Sequence, residues 1–400
     1  MLQIKADKLK NGVILVALFL STMNFGAKFF YFAFAALILL SLFQRKLNIH
    51  FSTLPYLLLG VLMAIYNSDE GILSMIRCFS YVSLYIVGYN LVTFRMMKQE
   101  RRVNINENHS ESIPTKVIFT VALGSFAHYL INFISNMGNN IGRNTIDIWS
   151  GNITAATGQA ALASIMLGLA VSLIILPKKK IYRYIGVINI VLILAYNLIL
   201  AGRTLITMLF ILFIIGMVYF RIVTPKALDR YKLIFALLLI LMITFILFLF
   251  NVGGIQNLVF NSNLLERFDA ISLDTSRNDT KMIFLTNIWK YPFGGLNLRV
   301  RYGHAHDLLL DGYDEYGFLG FLLLLLILIL GIRTLWLLLR RTDYSNEFKM
   351  MALCVYSAIL MVFTLEPILD GMPWLLICFC LLNGVLDGMR VTYRNRRSDE

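Results

Sequence analysis

The sequence predicts an all-α polytopic membrane protein with about twelve transmembrane helices and one large loop between helices 9 and 10. Its 400 residues have a mean hydropathy of +0.72. Only 15% of the residues are charged, whereas about 25% is usual in a soluble domain. Apolar runs such as 233–250 and 321–330 are too numerous for one soluble core, but their lengths suit a bilayer. We therefore expect residues 1–400 to form a single integral membrane domain.

Apolar windows place the individual spans, and basic residues orient them. The first span follows a basic lead without a small-residue cleavage site, so we expect it to be retained rather than removed as a signal. With both termini in the cytoplasm, 26 of the 36 Lys and Arg residues lie on the inner side, as the positive-inside rule requires of a bacterial inner-membrane protein. The predicted spans are 11–25, 28–43, 51–66, 72–94, 117–134, 158–176, 184–201, 204–221, 233–251, 316–335, 350–366 and 372–389.

Charge and cysteine content exclude several classes of protein. A net charge of +13 would indicate a nucleic-acid partner in a soluble chain, but here it is concentrated in short inner loops beside anionic membrane lipid. Nucleic acid is therefore not an expected partner. The four cysteines lie in apolar segments without the spacing of a zinc site or a disulfide framework, which favours a role in helix packing.

The predicted large outer loop, 252–315, has helix signals of its own. Ser276 and Asp279 resemble a capping box, and Pro292 ends the run. We interpret the loop as an extracytoplasmic catalytic segment with short interfacial helices. The predicted apolar face of its first helix consists of Met282, Ile283, Leu285 and Ile288.

Arginines are retained on the outer side, where the positive-inside rule disfavours them. A planar guanidinium binds phosphate through paired hydrogen bonds, so their retention indicates a specific anion such as a lipid diphosphate. For Arg203 the alternative is a snorkelling side chain that only bounds the eighth helix. The outer arginines are Arg77, Arg143, Arg203, Arg267, Arg277, Arg299 and Arg301.

Two histidines, His304 and His306, stand just before the tenth span. A neutral imidazole can accept the proton of an attacking sugar hydroxyl near neutral pH. The alternatives are a pair of hydrogen-bonded interfacial histidines and a metal site with too few ligands. Asp307 and Asp311 begin an acidic stripe that continues through Asp314 and Glu315. We expect this stripe to be solvated; the alternatives are that it holds the acceptor glycan or a divalent ion, or that Asp307 and Asp311 are structural.

Other polar and aromatic residues do less to define a function. Ionisable groups are nearly absent at mid-membrane depth, which disfavours a proton-coupled transporter, although His128 lies deep in the fifth span. Trp149, Trp289 and Trp374 have the rings to stack on sugars, but they also occupy positions typical of the aromatic belt, which is the preferred interpretation.

Two segments, considered together, resemble a known family. Ala201-Gly-Arg-Thr-Leu opens a helix, and His304-Ala-His-Asp-Leu-Leu-Leu precedes the tenth span. With the Trp289, Pro292 and Gly294 run, they resemble the superfamily of O-antigen ligases and Wzy-type O-antigen (polysaccharide) polymerases, over roughly residues 140–335. Arg203 matches the family's helix-opening arginine and His306 its loop histidine. Asp307 departs from the usual asparagine, and Gly294-Gly-Leu departs from the commoner Gly-x-Gly.

The resemblance implies a membrane glycosyltransferase without a metal or another cofactor. Its donor would be an undecaprenyl-diphosphate-linked glycan, with His306 and Arg203 as catalytic residues. The residue patterns add His304 as a third catalytic candidate. The positive-inside argument adds five arginines for the diphosphate: Arg299, Arg301, Arg277, Arg143 and Arg77. A chain-length regulator and a flippase are the implied protein partners. We favour the polymerase of O-antigen, capsular or exopolysaccharide; a ligase that transfers polymer to lipid A core and a twelve-helix transporter or flippase remain alternatives.

Overall fold

The computed structural model describes residues 2–44, 47–100, 112–137, 144–177, 179–200, 202–224 and 275–399. Over these residues the chain is mostly helical, with one short two-stranded sheet. The predicted ninth span, 233–251, and the part of the predicted large loop before residue 275 lie outside the described residues. The all-α membrane class is confirmed by the helices on either side of them.

The described chain contains fifteen α-helices and one pair of short strands. The N-terminal part contains α1 (Leu2–Thr22), α2 (Phe29–Gln44), α3 (Leu54–Tyr66), α4 (Ile72–Cys78), α5 (Ser80–Glu100) and α6 (Ser112–Ser135). Antiparallel strands β1 (Asn144–Ile146) and β2 (Ile153–Ala155) precede α7 (Ala156–Ile175), α8 (Lys180–Ile199) and α9 (Thr204–Val223). The C-terminal part contains α10 (Thr275–Asn287), α11 (Asn297–Tyr302), α12 (Leu308–Leu339), α13 (Asn346–Phe363), α14 (Ile368–Gly371) and α15 (Pro373–Asp399).

Seven segments of the described chain are helices long and apolar enough to cross a membrane. The first of them joins α4 and α5, because the helix is interrupted at Phe79 and resumes at Ser80. The seven segments are Ile72–Thr93, Ile113–Ser135, Ala156–Ile175, Thr204–Val223, Leu308–Leu339, Asn346–Phe363 and Pro373–Val391. Shorter apolar helices cover Leu9–Thr22, Phe29–Gln44 and Phe51–Tyr66.

Helix α7 lies at the centre of the bundle. Almost all of its residues are buried, and many of them are small, including Gly158, Ala163 and Gly168. Small side chains let neighbouring helices approach closely, which is how helices associate where lipid supplies no hydrophobic drive. Helices α6, α8, α9 and α13 pack around α7. The sequence of α7 therefore suits a position surrounded by protein rather than lipid.

Helices α5 and α15 pack backbone to backbone through glycines. A Cβ on Gly88 would overlap the carbonyl oxygen of Leu381, and one on Gly384 would overlap that of Tyr85. Gly384 and Gly388 form a Gly-x-x-x-Gly pair on one face of α15, a pattern typical of close contacts between membrane helices. All four cysteines are free and buried, as expected for packing residues.

Candidate functional site

The segment between α10 and α11 packs against a break in α12. Gly294 and Gly317 both have positive φ, +73° and +71°, a conformation that glycine adopts without steric cost. The amide of Phe318 donates to the carbonyl oxygen of Pro292 at 2.8 Å. A Cβ on Gly317 would overlap that same carbonyl, so close approach as well as backbone conformation requires glycine here. This contact fixes the segment between α10 and α11 to the first turns of α12.

Asp314 holds the start of α11 in place. Its carboxylate accepts hydrogen bonds from the amides of Leu298 at 2.9 Å and Arg299 at 3.0 Å. A carboxylate at the N-terminus of a helix satisfies otherwise unpaired amides. Asp314 is only 2% exposed, so the expectation that the acidic stripe is solvated is wrong at this position. The physical reason is that the carboxylate turns back onto the preceding segment, which fixes the backbone of Arg299.

Asp311 and Asp307 organise the loop that carries the two histidines. The Asp311 carboxylate accepts from the amide of Ala305 at 2.9 Å and from that of Asp307 at 3.3 Å. Asp311 is also buried, so the stripe is not solvated at this position either. Asp307 caps α12 by accepting from the amides of Leu309 at 3.0 Å and Leu310 at 3.3 Å. Asp311 therefore holds the backbone on both sides of His306, and Asp307 caps the helix that follows.

The backbone of His306 has a left-handed conformation, with φ of +55°. A non-glycine residue pays about 1–3 kcal/mol for such a conformation, which persists only when the surroundings impose it. Here the flanking amides of Ala305 and Asp307 are both held by Asp311. The half-buried His306 ring lies 6.2 Å from the ring of His304, measured between centroids. The loop thus presents two imidazoles side by side.

Arg299, His304 and Asp370 form a charged cluster. The Arg299 guanidinium lies 2.7 Å from an Asp370 carboxylate oxygen, and His304 Nε2 lies 3.6 Å from the same oxygen. Burial lowers the pKa of His304 below its ordinary value of 6.5, and the Arg299 charge lowers it further, while Asp370 and Asp314 raise it. Because the net shift is downward, His304 is a neutral imidazole at neutral pH. The cluster thus contains a cation, an anion and a potential proton acceptor.

Lys281 links this loop to the rest of the bundle. Its ammonium group donates to the carbonyl oxygen of Thr364 at 2.7 Å, and it lies 3.7 Å from the carboxylate of Asp307. Thr364 directly follows α13, so α10, the histidine loop and the end of α13 meet at Lys281. Within α10 the buried apolar residue is Phe284, whereas Met282 and Leu285, expected on the apolar face, are exposed.

Arg203 lies at the same end of the helix bundle as the histidine loop. It directly precedes α9, and its carbonyl oxygen accepts from the Thr207 hydroxyl at 3.3 Å. Farther along α9, Gly216 approaches the end of α7 at Ile175 and the start of α13 at Met350. Arg203, at the other end of α9, therefore lies toward the start of α7 and the end of α13. The chain continues from the end of α13 to Asp370.

The other predicted phosphate-binding arginines are more scattered. Arg77 ends α4 and lies 3.8 Å from the Glu70 carboxylate, and Arg301 is exposed on α11. Arg277 lies in α10. Arg143 and Arg267 lie outside the described residues. Among the sequence-predicted site residues, the structure therefore brings together Arg299, His304, His306, Asp307 and Asp311.

A second polar cluster was not expected from the sequence. His128 in α6 is fully buried, and its Nε2 lies 2.5 Å from the carboxylate of Asp147. That carboxylate also accepts from the Asn132 amide group at 3.1 Å and from the Ser150 backbone amide at 2.8 Å. Burial raises the pKa of Asp147, but the bonds from His128, Ser150 and Asn132 outweigh it and hold the pKa below its ordinary value. His128 and Asn132 share a helix face at i and i+4, so both side chains reach the Asp147 carboxylate.

Two tryptophans flank this second cluster. The ring of Trp374 lies 5.7 Å from that of His128, and the ring of Trp149 lies 6.3 Å from it, both measured between centroids. Trp374 is in the first turn of α15, four positions after Asp370. Trp289, by contrast, is 75% exposed, as a residue of the aromatic belt would be.

Comparison with known proteins found no family model that matches this chain and no matching curated protein.

Proposed function

We propose that this protein is a membrane glycosyltransferase that polymerises undecaprenyl-diphosphate-linked repeat units into O-antigen, capsular or exopolysaccharide. The observation that carries the proposal is the cluster of Arg299, His304 and His306 in the segment that resembles the polymerase and ligase superfamily. A guanidinium suits the diphosphate, and an imidazole suits an acceptor hydroxyl. No metal or other cofactor is part of the proposed reaction.

The proposed topology puts this cluster on the outer face of a bacterial inner membrane. It comprises twelve spans, cytoplasmic termini and one large outer loop between spans 9 and 10. Supporting it are the long apolar helices and the concentration of Lys and Arg in the loops assigned to the inner side. On that face the enzyme would meet lipid-linked units delivered by a flippase, and a chain-length regulator would be a further partner.

The proposed reaction needs a proton acceptor and stabilisation of a leaving diphosphate. An acceptor hydroxyl oxygen bonds to the anomeric carbon of the donor while the bond from that carbon to the diphosphate oxygen breaks. The lipid diphosphate departs with the electron pair, and the hydroxyl proton passes to His306. Arg203 and Arg299 stabilise the charge that develops on the diphosphate, an effect that is strongest in a partly desolvated site.

The departures from the family pattern leave the local architecture workable. Asp307 replaces the usual asparagine, but it caps α12 through its side-chain oxygen, and asparagine caps helices equally well. Gly294 matches the family glycine and directly approaches Gly317. Leu296 stands where the family more commonly has glycine, and its backbone keeps a left-handed φ of +60°, the conformation that glycine adopts without steric cost. The backbone of this segment is therefore the same kind that the family pattern requires. The two departures leave both acceptor classes, a second lipid-linked unit and lipid A core, open to test.

The test is chain extension by purified protein in liposomes that contain lipid-linked repeat units. We expect a polysaccharide ladder from the wild type and none from Arg203→Ala or His306→Ala. Lys290→Ala is the matched control, because Lys290 is an exposed cation of the same segment with no assigned role, and it should extend chains normally. A full ladder from well-inserted His306→Ala would overturn the general-base role. Transfer of preformed polymer to lipid A core without a ladder would identify a ligase.

A further inference from the structure

The pair of His128 and Asp147 leaves one imidazole nitrogen facing away from the carboxylate. Nε2 lies 2.5 Å from the carboxylate, which makes it the ring nitrogen that donates to Asp147. In the tautomer with a single proton on Nε2, the lone pair is on Nδ1. This atom is buried and has no hydrogen-bond partner among the described residues. In this tautomer Nδ1 is thus an oriented hydrogen-bond acceptor without a donor among the described residues.

Two donors beside it are unpaired in the same way. The indole nitrogens of Trp149 and Trp374 are both buried and, within the described part of the chain, without a hydrogen-bond acceptor. Buried polar atoms are nearly always paired, and leaving one unpaired costs about 1–3 kcal/mol. The imidazole Nδ1 and the two indole nitrogens are three such atoms in one place, because both indole rings lie within 6.3 Å of the His128 ring, measured between centroids. Such a grouping is unusual.

The three atoms match the hydrogen-bonding pattern of a hydroxyl group. A hydroxyl has one proton to donate and two lone pairs to accept. His128 Nδ1 offers one lone pair, and the two indoles offer two protons. Flat, amphipathic indole rings also suit the apolar faces of a sugar, with their N–H groups free for its polar edge.

The α14–α15 turn connects this cluster to the charged cluster. Asp370 contacts Arg299 and His304, and Trp374, four positions later, contacts His128. A saccharide chain bound at the first cluster would therefore have its next units close to the second. The Asp147 carboxylate beside His128 is already satisfied by its hydrogen bonds with His128, Asn132 and Ser150, so it orients the imidazole and leaves Nδ1 and the two indoles to contact the sugar.

We propose that His128, Trp149 and Trp374 form a second saccharide subsite, oriented by Asp147, that binds a hydroxyl-bearing sugar unit of the glycan. This inference rests on the proposed function, and it names a binding site beyond the reacting centre. His128 is closed off from solvent, whereas Trp149 is half-buried on the turn between β1 and β2. Binding therefore displaces the Trp149 side chain, which provides an optical signal.

Two substitutions separate binding from folding. His128→Gln keeps an amide that can donate to Asp147 but removes the acceptor at the Nδ1 position. Trp374→Phe keeps an aromatic ring but removes the N–H group. The matched control is Trp336→Phe, because Trp336 is exposed on α12 and stacks with Arg340, away from both clusters.

The experiment titrates the full-length protein in detergent with the repeat-unit oligosaccharide released from the polysaccharide of the producing cell, and follows tryptophan fluorescence. We expect saturable quenching in the wild type and in Trp336→Phe, with about tenfold weaker binding in His128→Gln and Trp374→Phe, the loss that about 1.4 kcal/mol represents. Wild-type binding by both subsite variants would overturn the proposal, as would the absence of any response in the wild type.

Chain extension distinguishes failure of the subsite from failure of the proposed function. In an active system we expect His128→Gln to raise the KM for the acceptor about tenfold and to leave kcat nearly unchanged, since a subsite contributes binding rather than chemistry. An unchanged KM would reject the subsite while the glycosyltransferase stands. Oligosaccharide binding that depends on His128, with neither chain extension nor polymer transfer to lipid A core by the wild type, would reject the glycosyltransferase while the saccharide subsite stands.

Discussion

Arg299 and Asp370 form an ion pair at 2.7 Å that joins α11 to the α14–α15 turn. Both side chains are partly exposed, so the pair contributes little to folding, and pairs of this kind are worth about 0.2–1 kcal/mol. Its importance lies elsewhere, because Asp370 occupies the guanidinium that we assign to the donor diphosphate. A bound diphosphate must share or displace this carboxylate.

Replacement of Asp370 should therefore strengthen donor binding. We expect Asp370→Asn to lower the KM for the lipid-linked donor by up to about fivefold, because the competing carboxylate is worth no more than about 1 kcal/mol. Arg299→Ala should instead lower kcat by about a hundredfold or more, the usual cost of removing a donor that stabilises developing charge. Steady-state chain extension by the two variants measures both effects. A higher KM in Asp370→Asn would contradict the assignment of Arg299.

The lowered pKa of His304 predicts a pH dependence of stability. The folded protein takes up the His304 proton less readily than the unfolded chain, whose histidine has the ordinary value of 6.5. Above that pH the imidazole is neutral in both states and has no effect. As pH falls below 6.5 and through the lower folded pKa, the unfolded chain binds more protons and the free energy of unfolding decreases.

Thermal unfolding in detergent at several pH values measures this effect. We expect the difference between wild type and His304→Gln to be constant above about pH 6.5, the ordinary pKa of histidine, and to change in favour of the variant below it. His50→Gln controls for the loss of a histidine elsewhere in the chain. Parallel curves for wild type and His304→Gln over the whole range would contradict a lowered pKa.

Two glycines on either side of the histidine loop, Gly303 before it and Gly317 in α12, can be compared. Gly317 and Gly303 both have positive φ, but a Cβ on Gly317 would overlap the Pro292 carbonyl, whereas nothing lies within 4 Å of one on Gly303. Both backbones combine a positive φ with an extended ψ, a region that essentially only glycine occupies, so alanine at either position costs about 1–3 kcal/mol. We expect Gly317→Ala to lose additional stability and chain extension, since its segment must move away from α12. Equal melting temperatures for the two variants would show that this contact is unimportant.

Much of this fold is predictable from sequence because a long apolar run is itself the signal of a membrane span. Helix α10 was expected to begin near Ser276 and begins at Thr275, because the capping and periodicity signals that predict a helix are local in the sequence. The burial of Asp311 and Asp314 was not predictable, because periodicity cannot show that a carboxylate folds back onto backbone amides. The pairing of His128 with Asp147 joins residues 19 positions apart across a turn, and only three-dimensional structure reveals it.

Asp311 provides the most direct test of how the histidine loop is built. Its carboxylate accepts from the amides of Ala305 and Asp307, which flank the strained backbone of His306. Asp311→Ala removes the acceptor of the buried Ala305 amide, at about 1–3 kcal/mol, and of the partly buried Asp307 amide, which releases the loop. We expect Asp311→Ala to lower both the melting temperature and the rate of chain extension. Asp311→Asn retains one accepting oxygen, so it should recover part of each.

The two readouts separate a structural role from a role in acceptor binding. If Asp311 acts through the backbone of His306, the losses in melting temperature and in kcat should rank together, with wild type above Asp311→Asn and Asp311→Ala last. If Asp311 instead binds the acceptor glycan, Asp311→Ala should raise the acceptor KM while the melting temperature stays near that of wild type. The second pattern would contradict the structural role, because the buried Ala305 amide cannot lose its acceptor without a measurable cost in stability.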